Sequence, residues 1–163
     1  MKKLIVLITF IPILGFTQEK PLSIFDNLIG KTWKAEGTWE NGSSFKQEKT
    51  FEYSLDSSIV ITSTIGFVNK EQTKLGNRNH GIRQYDKKYH SIKFWEFDVF
   101  GGLTTGIVFA KGKNILYQYD YGKSQVTDMW EFVNDTTYNF KVGIWKNEKW
   151  QQLFLDTKFI VTD

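Results

Sequence analysis

The chain has 163 residues, enough for one domain with a substantial core and too few for two domains of ordinary size. Aromatic residues make up 17% of it, which argues against disorder, and the absence of cysteine excludes disulfides, thiolate catalysis and cysteine metal sites. The formal net charge of +3 falls to +1 without Lys2 and Lys3 (3 minus 2), so nothing indicates nucleic acid or an anionic membrane as a partner.

The N-terminal stretch MKKLIVLITFIPILGFTQEK has the layout of a secretory signal peptide. Lys2 and Lys3 precede an apolar run from Leu4 to Phe16, and small and polar residues follow. That run is shorter than the roughly 20 residues that span a bilayer, so a retained anchor is the weaker alternative. We expect cleavage after residues 1–18 and a periplasmic or secreted single domain over residues 19–163, with no stable membrane anchor.

The next segment, KPLSIFDNLIG, carries apolar residues at helical spacing and predicts one short helix with Gly30 as its C-cap. From Lys31 onward the apolar period is two, and turn residues recur every ten to fifteen positions. This pattern predicts an antiparallel meander of ten strands, at 31–40, 44–54, 57–68, 79–86, 89–98, 102–110, 114–121, 125–133, 136–145 and 149–161. The polar stretch between the third and fourth strands, 69–79, is predicted to be a long loop.

Ten short neighbouring strands favour closure, because an open sheet would expose two edges. The fold class expected is therefore all-β, an antiparallel up-and-down barrel that can hold one small ligand. The first hairpin supports this. A three-residue loop ending in a left-handed Gly42 places Phe45 opposite Gly37 and collects apolar side chains on one face. The same requirement, that the apolar side chains of two paired strands share one face, predicts a three-residue loop at 134–136.

Two stretches carry a family resemblance. LIGKTW followed by AEG resembles the helix and first strand of lipocalin-like, or calycin, barrels. GIRQYDKKYHSIKFWEF followed by GGLTTGIV is similar to the Tyr-Asp turn and aromatic strand of uncharacterised lipocalin-like domains of exported bacterial proteins. The resemblance implies an antiparallel barrel with a hydrophobic interior and, for many members, ligand binding without catalysis.

A related group, the nitrobindin-like haem proteins, shares the Thr-Trp start but uses a histidine near the C-terminal end as iron ligand. The corresponding stretch here, KWQQLFLDTKFIVTD, contains no histidine, so haem is not carried over and no cofactor is expected. The two histidines of the chain are His80 and His90. A turn centred on residues 87–88 would pair them with Trp95 and Tyr85 on opposite faces, and no metal site is expected.

Arg83 and Glu96 are predicted to share the inward face of their hairpin. An inward Arg83 could bind a ligand carboxylate through paired donors. The alternative, which we favour, is an ion pair between the two side chains that satisfies both charges.

Asp128 falls on the inward register of its strand. A carboxylate in an apolar barrel could have a raised pKa and act as a general acid or base. Contact with a tyrosine or with Arg83, or a position at the barrel mouth, is the simpler interpretation.

These patterns favour an exported barrel that binds a small apolar or amphipathic molecule in a cavity of a few hundred cubic ångströms, roughly the lower end of ligand pockets. One alternative is an isomerase- or cyclase-type enzyme with Asp128 or Glu96 as base and a tyrosine as proton donor. Another is a packed barrel that acts through an exposed apolar patch. No catalytic residue is assigned, and the predicted ligand contacts are Trp33, Trp39, Phe51, Tyr53, Arg83, Tyr117, Trp130 and Phe140.

Overall fold

The computed structural model describes residues 20–162, which form a closed barrel of ten antiparallel strands. Each strand pairs with its neighbours in sequence, and β1 pairs with β10 to close the barrel. The predicted fold class is confirmed. The strands are β1 (Thr32–Thr38), β2 (Ser44–Ser54), β3 (Ile59–Phe67), β4 (Leu75–Asp86), β5 (Ser91–Asp98), β6 (Leu103–Lys111), β7 (Asn114–Tyr121), β8 (Ser124–Asn134), β9 (Thr137–Lys146) and β10 (Lys149–Val161).

The barrel has two distinct ends. The upper end carries the hairpin loops that follow the odd-numbered strands, such as the β1–β2 loop. The lower end carries the other loops and the N-terminal segment, residues 20–30, which begins with a 3₁₀ helix at Pro21–Phe25. The predicted short helix is therefore a 3₁₀ turn, and the segment ends at Gly30, whose φ is 70°.

The register of the first hairpin agrees with the sequence prediction. Gly37 lies opposite Phe45, and Gly42 adopts a φ of 84°, a region that a residue without Cβ enters at little cost. At the second predicted loop, Trp130 pairs with Phe140, although a bulge after Phe132 shortens the turn itself. Alternate residues of these strands therefore face the barrel interior, as expected.

The start of one strand differs from the prediction by four residues, from 79 to 75. Strand β4 begins at Leu75 rather than at residue 79, because Leu75, Gly76 and Asn77 still pair with the end of β3, beyond a bulge next to Ile65. Backbone pairing does not require apolar side chains, so the alternation rule misses such an extension.

The predicted register of the β4–β5 hairpin is wrong by two residues. His80 pairs with Phe97 rather than with Trp95, and His90 lies in a four-residue loop instead of pairing with Tyr85. The Asp86 carboxylate accepts hydrogen bonds from the backbone N–H groups of residues 88 and 89, which stabilises the longer loop. Both histidines are exposed.

The predicted signal peptide, residues 1–18, lies outside the described residues. No helix within residues 20–162 is long and apolar enough to cross a membrane.

Candidate functional site

Aromatic side chains fill the lower half of the barrel. Trp130 stacks on Phe159 at a ring-centroid distance of 4.3 Å and meets Trp33 edge to face at 6.2 Å. Leu22, Phe25 and Leu28 of the N-terminal segment are buried against this cluster. The Trp33 indole N–H donates to the Leu28 carbonyl at 3.1 Å, which holds the segment across the lower end. This half has the packing of an ordinary core.

The upper half is different, because it encloses a cavity of about 170 Å³. An apolar wall is formed from the β1–β2 hairpin and β9 by Trp39, Phe45, Phe140 and Val142, whereas most of the ionisable and uncharged polar side chains come from β4 to β8 and form a polar wall. The residues that line the cavity are Trp39, Phe45, Gln47, Lys49, Asn79, Arg83, Phe94, Glu96, Thr104, Tyr117, Tyr119, Asp128, Trp130, Phe140 and Val142. The volume is smaller than the few hundred cubic ångströms expected from the sequence.

A chain of charges crosses the polar wall. Glu96 contacts Arg83 Nη2 through Oε2 at 2.5 Å and Lys49 Nζ through Oε1 at 3.0 Å. Arg83, whose side chain is only 2% exposed, also donates to the hydroxyls of Thr62 and Tyr117. Burial would raise the pKa of the Glu96 carboxyl, but the charges of Lys49 and Arg83 outweigh it and hold that pKa at about 2. Glu96 is therefore ionised at any working pH.

The second carboxylate, Asp128, has a different environment. Its Oδ1 accepts a hydrogen bond from the Tyr119 hydroxyl at 2.9 Å, and no cation forms an ion pair with it among the described residues. Burial raises the pKa of Asp128 to about 6, against the opposing effects of Tyr119 and Lys49. Burial and the charge of Asp128 raise the pKa of Tyr119. Asp128 therefore titrates close to neutral pH.

A glycine makes room for the buried ion pair. A Cβ on Gly81 would lie 2.0 Å from Arg83 Nη1 and 2.3 Å from Glu96 Oε2. Any larger residue would displace the two charged side chains, since such distances are far below van der Waals contact. The sequence places this glycine two residues before Arg83 on the same face of β4.

A groove of about 480 Å³ adjoins the cavity and shares Trp39, Tyr119 and Val142 with it. We call it the vestibule. Its remaining lining residues come mainly from β7, β8, β10 and the β1–β2 loop: Glu40, Asn41, Tyr121, Val126 and Phe154. Two of these are the apolar side chains of Val126 and Phe154, so the vestibule extends the apolar wall toward the upper end.

The structure brings together five of the eight predicted ligand contacts, namely Trp39, Arg83, Tyr117, Trp130 and Phe140, all of which line the cavity. The other three, Trp33, Phe51 and Tyr53, belong to the lower half. Tyr53 donates its hydroxyl to the Leu22 carbonyl at 3.1 Å, and Phe51 packs 6.4 Å from the Phe25 ring. These three residues close the barrel below the cavity.

Sequence reasoning missed Lys49, which supplies an ammonium to the cavity. A signal was present, because Lys49 has the parity of Phe45 and Phe51 on β2 and so must share their inward face. Gln47 is inward by the same rule. The contact between Lys49 and Glu96 joins β2 to β5 across the barrel, and local alternation alone does not reveal such a partner.

Comparison of the chain with models of known protein families finds no matching family, and comparison with curated proteins finds no matching relative. The closed ten-strand barrel is compatible with the lipocalin-like resemblance. Function must therefore be argued from the geometry and chemistry of the cavity.

Proposed function

We propose that the protein is an exported lipocalin-like barrel that binds one small amphipathic molecule in the cavity of its upper half. The observation that carries the proposal is the cavity itself, which has an apolar wall and a polar wall. Among the described residues, the ammonium of Lys49 on this cavity keeps hydrogen-bond donors without a partner. Ligand pockets combine mostly apolar walls with a few polar groups that fix orientation. The proposed site lies outside the cytoplasm, in keeping with the signal expected at residues 1–18.

The apolar part of the ligand would contact the wall formed by Trp39, Phe45, Phe140 and Val142. Burial of apolar surface stabilises such a complex by about 25 cal/mol per Å² of area removed from water, before the entropic cost of association. A cavity of about 150 Å³ is large enough for a benzene ring, so a single ring or a short chain fits in the 170 Å³ available here. A longer apolar tail would extend into the vestibule.

The polar part of the ligand would face Lys49 rather than Arg83. The Arg83 guanidinium uses Nε, Nη1 and Nη2 on Tyr117, Thr62 and Glu96, so the ion-pair interpretation describes it best. Within residues 20–162 the Lys49 ammonium makes one hydrogen bond, to Glu96, and an ammonium has three donors. Two donors therefore remain for an oxygen of the ligand.

The test uses a pair of adjacent substitutions. Thr104 lines the cavity, whereas Thr105 is exposed on the outer face of the same strand. Thr104→Phe should fill the cavity and abolish binding of p-cresol and cyclohexanone in calorimetry, while Thr105→Phe should leave it unchanged. Native mass spectra of the purified protein, before and after solvent extraction, would reveal any molecule retained from the cell. Equal binding by both variants would place the ligand elsewhere and overturn the proposal.

A role played through the outer surface is the competing proposal. Phe97, Phe100 and Leu103 are about half exposed around the β5–β6 turn. Exposed apolar patches often mark interaction sites. The patch carries less weight, because nothing in the described residues indicates the chemistry of a partner.

A further inference from the structure

The cavity holds more ionisable groups than binding alone requires. Lys49, Arg83, Glu96, Tyr119 and Asp128 come from five different strands and line one cavity. Charges removed from water lower stability unless they are well paired, so an interior that only binds a small amphipathic molecule needs fewer of them. The cluster therefore calls for a chemical explanation.

The two carboxylates are set apart by their surroundings. Glu96 is held between two cations and remains ionised, whereas Asp128 contacts a tyrosine hydroxyl and titrates near neutral pH. Carboxylates whose pKa values are separated in this way commonly have different roles in acid–base catalysis. A base with a pKa near the working pH is the efficient one, which points to Asp128 rather than to Glu96.

One of the two carboxylate oxygens of Asp128 remains available to a bound molecule. The one side-chain hydrogen bond found for it within residues 20–162 is accepted by Oδ1 from Tyr119. That bond orients the carboxylate and leaves Oδ2 for a proton of a bound molecule. In the same cavity, Glu96 holds the Lys49 ammonium, which has donors free for an oxygen that becomes negative.

We propose that this cavity catalyses proton transfer at the carbon next to a carbonyl group, with Asp128 as the base and Lys49 as the group that stabilises the enolate oxygen. The substrate class is a small ketone or aldehyde with an α-hydrogen. The inference rests on the proposed function, because it requires that such a molecule enter the cavity.

The step is balanced without any co-reactant. Asp128 takes the α-proton, the C–H electron pair forms a C=C bond, and the carbonyl π pair moves to the oxygen beside Lys49. The protonated Asp128 carboxyl exchanges its proton with solvent and then delivers a solvent-derived hydrogen to the same carbon, which exchanges the α-hydrogen. In an unsaturated substrate it can instead deliver the proton to a conjugated carbon, which isomerises the substrate. Arg83 keeps Glu96 in place and is a positioning residue, as is Tyr119 for Asp128.

The experiment measures deuterium exchange into cyclohexanone and acetophenone in D₂O by NMR, with saturation-transfer spectra of the same samples reporting binding. The purified full chain should accelerate exchange over buffer, and the rate should rise with pH through about 6 as Asp128 ionises. Asp128→Asn should lower the rate at least about 100-fold, the usual share of a general base, and leave binding within a few-fold.

Two further variants sharpen the test. Lys49→Met removes the ammonium and should also suppress exchange. Asp120→Asn alters an exposed carboxylate on the neighbouring strand and should have no effect. Binding of a ketone without accelerated exchange would overturn the catalytic inference and leave the proposed function standing. Failure of both probes to bind would overturn the two together.

Discussion

The two halves of the barrel differ in how their interior is filled. Below the middle, Trp33, Phe51, Trp130 and Phe159 interlock, and the N-terminal segment covers them. Above the middle, the same alternation of side chains points Lys49, Arg83, Glu96 and Asp128 into a cavity. Packed aromatic rings stabilise a fold, whereas buried charges seldom do so. The comparison indicates that the lower half provides stability, and it is the upper half in which we propose the ligand site.

The largest expected effect belongs to the lower half. Phe159 is fully buried and stacks on Trp130, so Phe159→Ala should lower the free energy of unfolding by about 3–5 kcal/mol through lost contacts and an added void. The next residue, Ile160, is 49% exposed and provides the control, since Ile160→Ala should change stability little. Urea denaturation followed by tryptophan emission measures both. Similar losses for the two variants would contradict the division between the halves.

Removal of the Glu96 carboxylate, which Arg83 and Lys49 share, should also lower stability. Glu96→Gln leaves Arg83 and Lys49 as buried cations without a carboxylate, and breaking such an arrangement lowers stability by about 3 kcal/mol. The pKa of Glu96 is depressed in the folded state, so its contribution is present above pH 4.5 and is lost as the pH falls toward 2. The wild type and the variant should therefore converge in acid. A constant difference between pH 7 and pH 3 would show that the charge does not matter.

Much of this architecture could be read from the sequence. The two-residue period and the turn residues gave all ten strands within a few residues, and the parity of the first hairpin gave its register through Gly42. Side chains alternate on every strand, so each inward residue follows once one is known. The first residues of β4 were missed because backbone pairing alone extends the strand. The four-residue loop at 87–90 was missed because hydrogen bonds to the Asp86 side chain stabilise it.

The site was harder to predict than the fold. Alternation identified Arg83, Glu96 and Asp128 as inward, and the hairpin predicted the Arg83–Glu96 ion pair, which the structure confirms. It could not show which residues of more distant strands join them. That depends on which strands face each other across the closed barrel, as Lys49 on β2 faces Glu96 on β5. Nor could the aromatic residues be divided between cavity and core, because Trp33 on β1 and Trp39 just after its end have the same parity and differ only in height.

The smallest expected effect on stability is an increase rather than a loss. Asp128 has a raised pKa in the folded state, so it contributes stability at low pH that is lost as the pH rises through about 6. Asp128→Asn carries no charge and should raise stability at pH 8 by about 1–3 kcal/mol, with little change at pH 4. Thermal unfolding across this pH range is the measurement. A destabilised variant at pH 8 would mean that the carboxylate is held for structure rather than for chemistry.

The central claim is that a small molecule enters the upper half of the barrel and leaves the lower half untouched. The indole N–H signals of Trp39 and Trp33 report these two regions, because Trp39 lines the cavity and Trp33 is buried beneath it. The most direct measurement is a titration of the ¹⁵N-labelled protein with cyclohexanone and p-cresol. We expect the Trp39 signal to shift in a saturable way while that of Trp33 stays fixed. A shift of Trp33 alone, or no saturable shift of Trp39, would contradict the claim.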